Sequence, residues 1–178
     1  GQYMPIGMGG QIAYAEGLEK LASNIEEVRP TFMVVVPRLF EVLRMRIAKQ
    51  IEKQGGLAIT LLNQALAIAR KEARGESLNL AEKLIDQALE RTIRKSIRAK
   101  FGGRLRAMVA GGAPLNPEVG IFFTAIGIPI LQGYGQTESG PVVSCNRPRA
   151  KLKMHTVGPP LDQVEVKIAS DGEILVRG

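Results

Sequence analysis

Leu105-Arg106-Ala107-Met108-Val109-Ala110-Gly111-Gly112-Ala113-Pro114-Leu115-Asn116-Pro117, continued by Ile128-Pro129-Ile130-Leu131-Gln132-Gly133-Tyr134, decides the fold. Residues 104–110 read as a strand, and Gly111-Gly112 turns the chain. Asn116 is a good N-cap and Glu118 sits favourably in a first turn, so a helix is expected over 117–126. Residues 128–133 read as a second, buried strand. Strand, helix and strand make a βαβ unit. That implies parallel strands, a right-handed crossover and a doubly wound α/β sheet. In such sheets ligands bind at the carboxyl ends of the strands.

Upstream, residues 11–15 read as a short strand and residues 17–28 as a helix, with Leu18, Leu21, Ile25 and Val28 at helical spacing. Residues 31–36 are a continuous β-branched and apolar run, expected as a buried strand. Pro37 suits the first turn of a helix running to about 54, where Gly55-Gly56 stops it. A second helix is expected to end at Gly75. A third is expected from about 79 to 100, with Leu80, Leu84, Ile85, Ala88, Leu89, Ile93 and Ile97 as its apolar face. The helical block at 42–103 is long for a crossover. Downstream, Asp171-Gly172 lies between two alternating segments and signals a hairpin. The expected organisation is an α/β part at 1–140 with a helical insertion, then the start of a small antiparallel β-barrel-like subdomain at 141–178.

The second strand delivers an aromatic ring, a hydroxyl and a carboxylate within five residues: Tyr134, Thr137 and Glu138. Tyr134 offers a flat face for a base, Thr137 a donor for a phosphate oxygen, and Glu138 a hard oxygen ligand for magnesium. Gly133 and Gly135 let backbone approach a ligand, as do Gly111, Gly112 and Ala113 ahead of Pro114. The plain alternative is a strand, a Gly-rich turn and a capping threonine, with no ligand.

Composition narrows the classes. One cysteine, Cys145, excludes a disulfide framework and a cysteine zinc site, and fits a reducing, cytoplasmic compartment. One histidine, His155, cannot build a His-rich metal site; beside lysines in a loop it reads as solvated. No apolar run approaches the roughly 20 residues that span a bilayer. The net charge is +7, concentrated in residues 91–106, where Arg91, Arg94, Lys95, Arg98, Lys100, Arg104 and Arg106 meet no acidic residue. A solvated helix face suits that run, then an anionic membrane surface, and last the phosphates of a ligand or nucleic acid. Aromatic residues are 4% and tryptophan is absent, so stacking platforms for nucleic acid are not expected.

Gln132-Gly133-Tyr134-Gly135-Gln136-Thr137-Glu138 resembles the adenine- and magnesium-binding motif of the acyl-adenylate-forming enzymes. Gly111-Gly112-Ala113-Pro114-Leu115 is similar to that superfamily's turn bordering the adenine and acyl channels. Arg29-Pro30-Thr31 with Val34-Val35-Val36-Pro37-Arg38-Leu39-Phe40-Glu41 resembles a segment of the long-chain fatty acyl-CoA synthetases. Thr156-Val157-Gly158-Pro159-Pro160 and Gly172-Glu173-Ile174-Leu175-Val176-Arg177-Gly178 extend the likeness over essentially the whole chain. Several motifs in the right order are far more specific than any one. The block at 42–103 resembles the helical insertion of the long-chain enzymes.

The resemblance implies an ATP-dependent fatty acid–CoA ligase that makes acyl-AMP from a long-chain fatty acid and transfers the acyl group to CoA. It implies Glu138 as magnesium ligand, Thr137 on the α-phosphate, Tyr134 stacked on adenine and Gln132 at the adenine amino edge. It also implies that a phosphate loop lies before residue 1, and that a ribose-binding aspartate and a lysine-bearing small domain lie after residue 178. The 178 residues alone are therefore expected to be inactive. The alternatives are an adenylating ligase for another carboxylic acid, and a helical module that docks on a membrane or partner without chemistry of its own.

Overall fold

A computed structural model describes residues 3–147 and 153–178. Its centre is a sheet in the order β1-β2-β3-β4, with β1 at Phe32–Val35, β2 at Ala107–Ala110, β3 at Ile130–Tyr134 and β4 at Ser144–Cys145. β1, β2 and β3 are parallel, and β4 runs antiparallel to β3. The expected βαβ unit is present: α7, Pro117–Ala125, joins β2 to β3. Asn116 caps it through its side chain, which accepts from the Glu118 N–H at 2.9 Å. α7 is buried on nearly all sides because the sheet lies on one flank and helices on the other. Phe123 meets Phe40 and Phe122 edge-on, each with ring centroids 5.5 Å apart.

The helical block spans the β1–β2 connection. α3, Pro37–Glu52, starts on proline at its first turn as expected. α4, Gly56–Arg74, ends on Gly75, whose left-handed φ of 81° closes the helix. α5, Leu80–Leu89, opens on a capping box between Asn79 and Glu82. It continues through a π-helical turn, Glu90–Arg94, into α6, Lys95–Lys100. No described helix is long and apolar enough to cross a membrane.

Four expectations change. Residues 11–15 form no strand; the segment has no hydrogen-bonded neighbour among the described residues, and an extended chain becomes a strand only by pairing. After a short α1, Tyr3–Gly7, the helix α2, Leu21–Val28, begins at Leu21 rather than 17, and of its expected apolar face only Leu21 and Ile25 are buried. β1 is not buried on both faces. Successive side chains alternate, so Met33 and Val35 turn toward the helices while Phe32 and Val34, the latter 75% exposed, turn away from them. The expected apolar face of the third helix spans two adjacent stripes. Leu89 and Ile97 are buried and Ile85 and Ile93 half-buried, whereas Leu80, at 80% exposure, Leu84 and Ala88 face solvent. The π turn was not foreseen.

The hairpin is present, as β5, Glu165–Ile168, paired antiparallel with β6, Ile174–Arg177. Asp171 accepts from the Glu173 N–H at 3.1 Å and Gly172 takes a φ of 91° in the turn.

Candidate functional site

Two strand ends build the site. β2 ends at Ala110, which lies in register with Gln132 of β3. The next residues, Gly111 and Gly133, are neighbours: a Cβ on Gly111 would lie 3.6 Å from the Gly133 carbonyl oxygen. The turn Gly111, Gly112, Ala113 and Pro114 therefore borders the end of β3, with the last three residues exposed.

Beyond Tyr134 the chain makes a tight excursion and returns. The Val143 N–H donates to the Tyr134 carbonyl at 2.9 Å, closing the loop at its base. Gly135 is needed there. A Cβ would collide with the Pro141 carbonyl and lie 2.8 Å from the Val142 Cα, both parts of the returning backbone. A 3-10 turn, Thr137–Ser139, forms the tip, with Gly140 left-handed after it. Gln136, Thr137 and Glu138 are exposed at that tip, and Tyr134 is half-buried below it. Among the described residues, the side chains of Tyr134, Thr137 and Glu138 make no hydrogen bond or ion pair. They follow one another at the carboxyl end of the sheet, and their polar groups have no partner among the described residues.

Gln132 is different. It is 7% exposed, and its Nε2 donates to the Met154 carbonyl at 2.7 Å. It belongs to a seam that ties residues 143–146 and 154–161 onto β3. The Asn146 N–H donates to the Gln132 carbonyl at 2.8 Å, and its Nδ2 to the Thr156 carbonyl at 2.9 Å. The Ser144 hydroxyl donates to the Val157 carbonyl at 3.2 Å. Gly158 passes so close to Cys145 and Asn146 that a Cβ would overlap their backbone, and its φ is 80°. Sequence reading missed Ser144 and Asn146. Their only signal is two polar residues in an otherwise strand-like stretch, and their carbonyl partners lie 10 to 13 residues away.

Cys145 borders Gly133, and burial pushes its thiol up, with Arg147 pulling the other way. It is therefore a poor nucleophile. His155 is exposed, on the rim of an open groove of about 300 Å³ between α4 and α7; Lys151 and Leu152 lie outside the described residues. No cluster of three or more His, Cys, Asp or Glu side chains that could hold a metal occurs among the described residues. Magnesium does not need one. It is bound by one or two carboxylates and completes its shell with phosphates and water, so a lone uncommitted Glu138 fits it.

All 178 residues match the family described as AMP-binding enzyme. The chain is 32% identical over 170 residues to the long-chain-fatty-acid–CoA ligase FadD15 of Mycobacterium bovis, covering 94% of this chain and 28% of that protein. It is 33% identical over 187 residues to the putative fatty-acid–CoA ligase fadD11 of Mycobacterium tuberculosis, covering 100% of this chain and 32% of that one. A benzoate CoA ligase from Burkholderia xenovorans LB400 shares the fold, with a TM-score of 0.59 at 21% identity over 98% of this chain and 27% of its own. The chain belongs to the AMP-binding enzyme family, and its relatives are acyl-CoA synthetases. It spans a third or less of the length of the curated relatives it matches.

Proposed function

We propose that this chain carries the nucleotide-facing part of a long-chain fatty acid–CoA ligase, which uses ATP to make acyl-AMP and then passes the acyl group to CoA. The observation that carries the proposal is the uncommitted Tyr134–Thr137–Glu138 set at the end of β3, directly beside the small-residue turn at the end of β2. A fatty carboxylate and an α-phosphate are both anionic, so the site must neutralise charge and hold the pair in line. Glu138 would hold the magnesium ion, which when bound supplies that neutralisation. Thr137 donates its hydroxyl to an α-phosphate oxygen and orients it. The Tyr134 ring covers one face of adenine. Gly111, Gly112, Ala113, Pro114, Gly133 and Gly135 leave room for purine and acyl chain against the backbone. With its Nε2 bound to Met154, Gln132 keeps its side-chain oxygen to accept from the adenine amino group.

The test is Glu138→Ala in the complete protein, with the 178 residues alone as the expected inactive control. Magnesium-dependent pyrophosphate exchange should fall about 100-fold or more, the scale of one lost charge-stabilising group. Thioester formation from supplied acyl-AMP should suffer less. Near-normal exchange would end the assignment. A panel of carboxylic acids separates a fatty substrate from another acid.

The basic run supports a second, weaker surface. Arg94 is buried and Arg98 pairs with Glu90, which leaves Arg91, Lys95, Lys100, Arg104 and Arg106 exposed. The exposed Leu80 and Leu84 lie on the same helical run as Arg91 and Lys95. We propose that these residues meet anionic lipid, each cation contributing about 1 kcal/mol. Binding to phosphatidylserine vesicles should weaken with salt and with Arg91→Glu and Lys95→Glu together; indifference to both would leave a solvated face.

A further inference from the structure

Arg94 is a charged side chain that the site does not use, yet it is buried, at 8% exposure. It sits at the end of the π turn in the helical block. Its Nε donates to the Ala125 carbonyl at 2.8 Å. Ala125 is the last residue of α7, so this carbonyl is one of the helix's unpaired C-terminal acceptors, where the helix dipole also favours a cation. The Arg94 Nη1 lies 2.8 Å from Asp86 Oδ1 and 3.5 Å from Glu90 Oε2. Glu90 is held in turn by Arg98. The guanidinium is thus fixed from the insertion side and reaches across to α7.

The residues just after α7 are pressed against Arg94 as well. Gly127 has a φ of 81°, and a Cβ there would lie 3.0 Å from the Arg94 Cβ and 2.9 Å from the Arg98 Nη1. Three residues later β3 begins, and β3 carries Gln132, Tyr134 and the loop to Glu138. At its other end α7 is preceded by the Gly111–Pro114 turn. The same helix therefore joins both halves of the site, and its last carbonyl accepts a hydrogen bond from one side chain of the helical block.

We propose that Arg94 is a positioning residue: by capping α7 and packing the α7–β3 junction, the helical insertion fixes where β3 delivers the site loop. The proposal rests on the ligase reading only for its kinetic consequence; its structural consequence stands alone. A neutral side chain at 94 leaves the Ala125 carbonyl and the Asp86 carboxylate without their cation. β3 then opens more readily, and the loop it carries is held less closely in line.

The experiment compares Arg94→Gln, Arg94→Lys and Lys83→Gln in the complete protein by hydrogen exchange and by pyrophosphate exchange. In Arg94→Gln, amides of residues 128–134 should exchange about tenfold faster or more, as expected when a hydrogen bond to a charged group is lost. Amides of α4 at 62–69 should change far less. The kcat for acyl-AMP formation should fall about tenfold, the direction expected of misplacement, with the KM for ATP nearly unchanged. Arg94→Lys should recover part of both losses. Lys83→Gln removes an exposed cation of the same block that takes no part in the Arg94 contacts; it should leave both near wild type and also shows that the block tolerates a lost cation. Unchanged protection at 128–134, or equal loosening of α4, would overturn the proposal. Faster exchange at 128–134 in a protein whose wild type has no ligase activity would overturn the ligase reading and support the positioning role.

Discussion

The loop end of the sheet and the helical block between β1 and β2 are held by different means. At the loop end, backbone lies on backbone: Gly135 against Pro141 and Val142, Gly158 against Cys145 and Asn146, with main-chain carbonyls taking the side-chain donors of Gln132, Ser144 and Asn146. In the insertion, side chains pack on side chains: Ala65, Ile68, Ala69 and Leu89 form a cluster with Ile121 and Ala125 of α7, ringed by ion pairs. The first arrangement fixes atoms closely but tolerates no added volume. The second stabilises broadly and tolerates change at its surface. The proposed site lies on the first, and the cluster around Leu89 on the second.

Leu89→Ala should separate them most clearly. Leu89 is fully buried, and its truncation should cost about 2–5 kcal/mol. A denaturant titration of the complete protein reads that loss. Nucleotide affinity of the molecules still folded should be nearly unchanged; a parallel loss of affinity would mean the two regions are not separable.

Gly135→Ala should do the reverse. The Cβ has backbone on its path, so the loop must move, and strain of about 1–3 kcal/mol is expected. Nucleotide binding by calorimetry should drop far more than the melting temperature does. A variant that binds normally would show that the loop is not the site.

The smallest effect is in acid. A hydrogen bond from Arg98 holds the Glu90 carboxyl below its ordinary value of 4.5, against some burial, with the charges of Arg98 and Arg94 adding to it. The ionised form is thus favoured by folding. That contribution is complete above 4.5 and is lost as pH falls through the depressed folded value. Glu72 opposes it. Burial and the nearby Asp86 raise its carboxyl, with Arg94 pulling it back. Its contribution therefore favours folding as pH falls through its raised value toward 4.5. Glu90→Gln should lower the melting midpoint at neutral pH and flatten its acid decline, so that the two curves converge in acid. Parallel curves would show that Glu90 carries no acid-labile stability.

The βαβ unit, the placement of Tyr134, Thr137 and Glu138 beyond a strand end, the helix stop at Gly75 and the hairpin turn at Asp171-Gly172 are legible in the amino-acid sequence. Those are local choices, set by side-chain period, capping and glycine's backbone freedom within a few residues. The same reading supported the expectation that β1 is buried on both faces and that Leu80 and Leu84 lie on a core face, and both were wrong. Apolar residues mark a face that can be buried, but only the neighbours that arrive decide which face is. The bond from Arg94 to Ala125 and the seam from Gln132 to Met154 join residues 31 and 22 positions apart. No local pattern encodes such pairs. They are settled in the folded molecule, because buried polar groups must find partners wherever the chain brings them.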